Sequence, residues 1–426
     1  MAADEIGGTA PAQTGDVNAP VGPHWVRHTA LFLSGQTVSL FGSSLVQYAI
    51  LWYLTLTTQS GVVLTLAMAF GFLPQAVTSI FGGVWADRHN RKFLLIGADA
   101  TIAASTLVLA ILLWQGTDDL WLVYTTLAIR SAGAGIQTPA VGALLPQIVP
   151  APALMRVNGI NMSIQSAMML LAPAAAAALF AWLGLQAVLI VDVATAIIGI
   201  GLVALIPVAT VVRTTVSTGY FGDLRAGLAY VRDHRVIRVV LIYFAIVMVL
   251  MAPPGYLSPL MVVRTFGEEV WKLTVNELAF GVGMLAGGAV IAAWGGWRDR
   301  MRMLRATSFA FGLLSIALGL SGSIFGWSGS FAAYLAFMLV LGGAVSFFST
   351  TSMTLFQEQV EGEMQGRVFG VQGIVMALAM PVGMLIFGPL SDTISIEWIT
   401  IIAGLLTLVV TAVVGYHAPK ALKPEA

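Results

Sequence analysis

Cysteine is absent from the 426 residues, and charge is scarce: Lys+Arg and Asp+Glu number 20 each, only 9% of the chain. The first absence excludes disulfides, thiolate metal sites and cysteine nucleophiles together. The second excludes a soluble fold of this size, because soluble domains carry roughly 25% charged residues and need them to cover their surface. A formal net charge of zero offers no basic face for nucleic acid. The five histidines show no zinc-type spacing, and no Gly-rich phosphate loop ending in Lys-Ser/Thr occurs. Neither a cofactor nor an enzymatic activity is expected. What is abundant is apolar: 58% of the residues are hydrophobic, with 45 glycines and 17 prolines, a composition suited to close-packed, locally broken membrane helices.

The first 23 residues are polar, small and Pro/Gly-rich, without the basic start and apolar core of a signal peptide, so residues 1–27 are expected to form a disordered tail. From about Leu31 onward the chain is a succession of apolar runs, each near the roughly 20 residues that a bilayer crossing requires. Twelve spans are expected, at about 30–56, 61–84, 93–114, 120–143, 158–182, 184–207, 237–262, 275–297, 303–324, 329–353, 367–390 and 395–416. Helices are the economical choice, because an unpaired backbone group in lipid costs several kcal/mol. The runs are too long and too uniformly apolar for barrel strands. Between them, LFQEQVEGEMQGR is too polar to span and is expected to lie along the cytoplasmic interface.

Basic residues set the orientation. With the N-terminus in the cytoplasm, the interior loops hold Arg88, Arg91, Lys92, Arg156, Arg298, Arg300, Arg302 and Arg305, and the long central loop adds five more arginines. The exterior loops hold only Arg264 and Lys272. The positive-inside rule therefore places both ends in the cytoplasm. An internal repeat is also legible. At an offset of about 212, Gly83, Trp85, Asp87 and Arg88 fall on Gly295, Trp297, Asp299 and Arg300, and Arg156-Val157-x-Gly159 returns as Arg367-Val368-x-Gly370. The fold class is therefore an all-α membrane protein with twelve transmembrane helices in two pseudo-symmetric six-helix halves. Its divisions are expected at 28–207 and 237–417, with a linker at 208–236 and a short tail at 418–426. Duplication of this kind points to a transporter that rocks two halves around a midplane site.

The stretch Gly82 to Lys92, GGVWADRHNRK, resembles the signature loop of the major facilitator superfamily: small residues, an aspartate, then spaced basic residues. Glycines there allow close helix approach, and a carboxylate is stabilised near a helix N-terminus. The resemblance implies a gating set of Gly83, Asp87, Arg88 and Arg91 with Asp299 and Arg300 in the second half. Asp87 and Arg91 would latch onto the start of the eleventh span in the outward-facing state. SGQTVSLFGSSLVQYAILWYLT, IGAD, RSAGAGIQTPA, LFQEQV, GRVFG and MALAMPVG are similar to the macrolide-efflux branch of that superfamily, over approximately residues 28–417. One departure stands out. Antiporters of the superfamily often carry a glycine-rich pattern around a proline in the fifth span, where this chain has Ala172-Pro173 followed by Ala174 to Ala178.

Polar groups at membrane depth are expensive, which makes them candidates for function. Thr126, Arg130 and Gln137 share one helical face, as do Gln36, Ser43 and Gln47 on the first span, and Asn161, Gln165 and Met168 on the fifth. Together with Met376 these are the expected substrate-binding residues, although interhelical hydrogen bonding would need the same side chains. Arg130 would bind a substrate anion or hold a carboxylate ionised. Asp192, Asp99 and Glu277 are the expected proton-coupling acids, with Asp99 also a candidate partner for Arg91.

Together these features predict a secondary active exporter of amphiphilic drugs, macrolides foremost, driven by protons through alternating access. It would be a monomer in a bacterial cytoplasmic membrane. A siderophore or other organic-anion exporter is the alternative within transport, and a non-transporting receptor or scaffold is the alternative outside it.

Overall fold

The computed structural model describes residues 24–207, 220–324 and 330–417. Residues 1–23 of the tail expected at 1–27, the tail at 418–426 and part of the linker lie outside the described residues, while residues 25–27 of that tail belong to the first helix. Every regular element described is an α-helix: α1 Trp25–Thr58, α2 Gly61–Arg88, α3 Arg91–Trp114, α4 Leu120–Ile148, α5 Ala151–Ala204, α6 Tyr220–Asp233, α7 Arg235–Leu250, α8 Ala252–Tyr256, α9 Ser258–Phe266, α10 Val270–Trp294, α11 Arg300–Ile324, α12 Ser330–Gln359, α13 Gly362–Leu390 and α14 Ile396–His417. Among the described residues, nine helices are long and apolar enough to cross a bilayer. One of these, α5, contains two crossings, because Gly184 at φ +76° breaks its 54 residues into arms at 151–183 and 185–204. The 29-residue α4 and the succession α7–α8–α9 supply two more. The arrangement is consistent with the twelve expected spans.

Local chemistry explains the boundaries. The Ser60 hydroxyl accepts from the Val63 amide at the start of α2, and Asn90 Oδ1 accepts from the Lys92 amide at 3.0 Å at the start of α3. The seventh span stops and restarts around Pro253, Pro254 and Pro259, which have no amide hydrogen to continue a helix. Polar residues inside the spans satisfy themselves locally, as where Thr106 donates to the Ile102 carbonyl at 2.9 Å and Ser315 to Phe311 at 3.0 Å.

The two halves repeat one packing plan. In the first, α2 meets α4 so closely that a side-chain carbon at Gly135 would lie 2.0 Å from Thr78 Oγ1. In the second, α10 meets α12 at Gly287, where an added carbon would lie 2.7 Å from Gly343. The first span packs on the sixth through Gly35 and Gly199, and the seventh bonds to the twelfth through Tyr243 Oη and Thr411 Oγ1 at 3.0 Å. Between the halves, α2 touches α13 and α5 touches α10. These are the second span with the eleventh and the fifth with the eighth, the exchange a two-fold duplication requires.

Within the expected linker, α6 rests on α13, with Gly227 against the Arg367 carbonyl. One expectation needs correction. The LFQEQVEGEMQGR stretch does not form an interfacial segment of its own. It is the end of α12 and the beginning of α13, which meet across Val360 and Glu361.

Candidate functional site

A charged cluster lies inside the first half, among α1, α3, α4 and the second arm of α5. Arg130 on α4 forms an ion pair with Asp192 through Nη1 and Oδ2; the arginine side chain is 11% exposed and the aspartate 1%. The same Nη1 donates to Thr106 Oγ1, and Nη2 donates to the Ser43 carbonyl at 3.3 Å. Ser43 Oγ donates to Asp192 Oδ1 at 3.4 Å. One helical turn or two toward the other end of α4, Gln137 Nε2 donates to Asp99 Oδ1 at 2.6 Å. Asp99 is also buried and lies within Coulombic reach of Asp192. The region thus holds two buried carboxylates, Asp192 on the Arg130 guanidinium and Asp99 on Gln137. Small residues make it possible: an added carbon on Gly42 would lie 1.9 Å from Thr195 Oγ1 and 3.0 Å from Asp192 Cα.

Sequence spacing placed Arg130 and Asp192 on different spans without pairing them, and the fold brings them together. Asp99 takes Gln137 as a partner, while Arg91 donates to the Ala143 carbonyl of α4 at 2.8 Å. Thr126 is buried on the same helix. Gln36 is half-buried, with its Nε2 buried and unpartnered. Gln47, Gln165 and Met376 are exposed, and Asn161 and Met168 half-buried, apart from the charged cluster. Glu277 is half-buried on α10, within Coulombic reach of Tyr48, Tyr256 and Tyr334, so it sits where the halves face each other.

Of the expected gating set, the side chains of Gly83, Asp87 and Arg88 lie outside the described residues. Arg91 and Arg300 open α3 and α11 respectively, and each reaches the fourth span of its own half. Arg300 Nε pairs with Glu358 Oε1 at 3.0 Å while Nη1 donates to the Gly295 and Trp297 carbonyls at 3.1 and 2.9 Å. Asp299 Oδ1 accepts from the Arg302 amide at 2.8 Å. The spatial counterpart of Arg91 is therefore Arg300, three residues from the position that the sequence offset selects.

Described hydrogen bonds between the halves gather at the end where α1 turns into α2. Asp392, in the turn after α13, accepts from the Gly61 amide at 2.7 Å, the Val62 amide at 3.0 Å and Ser60 Oγ at 2.8 Å. Arg264 pairs with the same carboxylate at 3.0 Å, donates to the Ser391 carbonyl at 2.6 Å and reaches the Gln59 carbonyl across the interface. Gln59 Nε2 donates to Glu268 Oε1 at 2.6 Å, and Thr65 Oγ1 donates to the Met384 carbonyl at 2.9 Å. Burial alone would push the Asp392 carboxyl up. The two α2 amides, Ser60 and Arg264 outweigh burial and hold it below the ordinary carboxylate range. Sequence reasoning missed this carboxylate.

The family model described as Major Facilitator Superfamily matches residues 32–384. Macrolide efflux protein A of Streptococcus pyogenes is 33% identical over 382 residues, covering 89% of this chain and 93% of the relative. Macrolide efflux protein A of Enterococcus faecalis is 33% identical over 327 residues, 76% of this chain and 99% of the relative. Among solved structures, a bacterial homologue of the iron transporter ferroportin in its inward-facing state superposes with TM-score 0.68 at 15% identity, covering 91% of this chain and 98% of that one. A POT family transporter in complex with 5-aminolevulinic acid gives TM-score 0.72 at 12% identity, covering 93% and 97%. These low identities speak to the fold alone. The duplicated helical halves, the shared packing plan and the match over most of the length place the chain in the major facilitator superfamily.

Proposed function

We propose that this chain exports amphiphilic drugs, macrolide-type antibiotics first among them, by proton-coupled alternating access in a bacterial cytoplasmic membrane. The observation that carries the reading is its 33% identity to macrolide efflux proteins across nearly their whole length. Arginines concentrated in alternate loops orient both termini toward the cytoplasm, which makes the latched end the outer one and the conformation inward-facing. Substrate then enters from the cytoplasm between α1, α4 and the first arm of α5 on one side and α7, α12 and α13 on the other. Gln47, Gln165 and Met376 lie exposed on those helices. Flexible, polarizable methionines suit bulky apolar ligands of varied shape.

The proton pathway runs through the buried cluster. With two carboxylates and one guanidinium, the cluster has one acid more than Arg130 can neutralise. A proton taken up at Asp192 frees it from Arg130 and changes the packing of α1 against the second arm of α5. Glu277, between the halves, is the third acid of the pathway. The organic-anion alternative is less favoured, because Arg130 is already engaged by Asp192 and not free to anchor a substrate.

The test is accumulation of labelled erythromycin in an efflux-deficient bacterium expressing the chain, with and without a proton uncoupler. Low accumulation that rises on uncoupling is expected. Accumulation equal to the empty vector, with membrane expression verified, refutes macrolide export and brings the organic-anion reading forward.

A further inference from the structure

We propose that Asp392 is the positioning residue of the outer gate: its carboxylate, shared between the start of α2 and Arg264, holds the two halves closed at this end, and release of substrate requires that it let go. This rests on reading the latched end as the outer one. Both carboxylate oxygens are engaged. Oδ1 accepts from the Gly61 amide and from Arg264, and Oδ2 from Ser60 and the Val62 amide. Three of the four donors belong to the opposite half. The first amides of a helix have no partner within it and sit at the positive end of its dipole, so a carboxylate is the ligand they bind best. Here the carboxylate comes from the other half, and capping α2 is the same event as closing the gate.

Arg264 makes the contact a lock. Its guanidinium is fixed to its own half by the Ser391 carbonyl and reaches across to the Gln59 carbonyl. Below it the backbones are in close approach: a side-chain carbon on Gly61 would lie 2.1 Å from the Gly388 carbonyl oxygen. α2 and α13 therefore cannot part a little at a time, because any separation removes the cap, the Arg264–Gln59 bond and the Thr65 contact together. The other acids at this end have different tasks. Glu397 accepts from Thr265 within the second half, Glu269 pairs with Lys272 on its own helix, and Glu268 takes a single side-chain bond from Gln59.

A chain without native cysteine allows a direct test, since one introduced cysteine is the only thiol. Met68 is 7% exposed and lies on the α2 face that carries Gly61, Thr65 and Phe72, two turns below the latch. Met68→Cys is labelled in intact cells with a membrane-impermeant maleimide, alone and combined with Asp392→Asn. Asp392→Asn is expected to raise the labelling rate about tenfold, equivalent to about 1.4 kcal/mol of gate closure, and the charge-retaining Asp392→Glu by less. An unchanged rate in Asp392→Asn overturns the proposal. If that variant does not reach the membrane, Ser60→Ala with Arg264→Gln removes two of the same contacts and must raise labelling severalfold; no rise again overturns it. Thr117→Cys, in the exposed α3–α4 turn at the same end, reports orientation separately. Labelling of Thr117→Cys only in inverted vesicles would overturn the outer placement and move the latch test to that preparation. None of these readouts depends on macrolides being the substrate.

Discussion

Removing one partner of the Arg130–Asp192 pair should be far more damaging than removing both. Arg130→Met leaves Asp192, 1% exposed, with only the Ser43 hydroxyl as a described side-chain partner. Asp192→Leu leaves the guanidinium with Thr106 and the Ser43 carbonyl, two neutral acceptors for a buried cation. Breaking a buried pair from one side costs about 3–5 kcal/mol, whereas replacing both members with apolar residues of similar volume is often neutral or stabilising. For a unit of 150–250 residues each kcal/mol moves the melting temperature by roughly 2–4 °C. Each single variant should therefore melt about 6–20 °C lower than the parent, and Arg130→Met/Asp192→Leu should recover to within about 4 °C. The assay is thermal unfolding of the purified protein in detergent, run as a four-member cycle so that the coupling is read as a difference. Erythromycin accumulation is measured beside it. The double variant should fold but fail to export, separating a pair kept for proton handling from one kept for stability. A double variant as unstable as the singles would refute the reasoning about burial. A stable double variant that exports under uncoupler control would remove the cluster from the proton pathway.

Three more expectations follow from the geometry. Because the Asp392 carboxyl is held below the ordinary range, its contribution to gate closure is complete above the usual carboxylate value and is lost only as pH falls through that depressed value. The charged groups around it at this end are Arg264, Glu268, Glu269, Lys272 and Glu397. Because the thiolate is the reacting form, Met68→Cys labelling is normalised to that of the exposed Thr117→Cys at each pH; the ratio should stay flat as external pH falls from about 7 to 5, above the ordinary carboxylate range, and a midpoint near 6 would refute the assignment. Gly42→Val should destabilise the first half by about 1–3 kcal/mol through overpacking against Thr195 and Asp192, seen as a lower melting temperature; an unchanged value would mean that α1 can move aside freely. Gln137→Leu strips Asp99 of its amide donor and should cost about 1–3 kcal/mol, whereas Gln165→Leu, on an exposed side chain, should leave the melting temperature alone.

The architecture was legible because lipid leaves the backbone few choices: a run of some 20 apolar residues must become a helix. The boundary expected between the fifth and sixth spans falls on Gly184. Hydropathy could not separate a helix that lies in a linker from one that lies beyond the membrane. That is why α6 was missed, and why the polar junction of α12 and α13 read as an interfacial segment. The site was legible in its parts but not in its pairing. Helical periodicity reports the face of one span and carries no information on which span packs against it, so Arg130 and Asp192 were found singly. Asp392 was invisible for a related reason, since its value comes from amides of a helix more than 300 residues earlier, a contact that no local pattern records.

The charged cluster belongs to one copy of the duplicated unit. At the repeat offset, Asp99, Arg130 and Asp192 fall on Phe311, Gly342 and Gly404. The consequence is electrical. With both acids ionised the cluster carries one net negative charge; with one proton added it carries none. Any displacement of the first half along the membrane normal is therefore voltage-sensitive in one protonation state and indifferent to voltage in the other. A full unit charge crossing 100 mV is worth about 2.3 kcal/mol, and a partial crossing is worth the corresponding fraction. In the proposed proton-coupled cycle, the membrane potential acts on this half only while the cluster is charged.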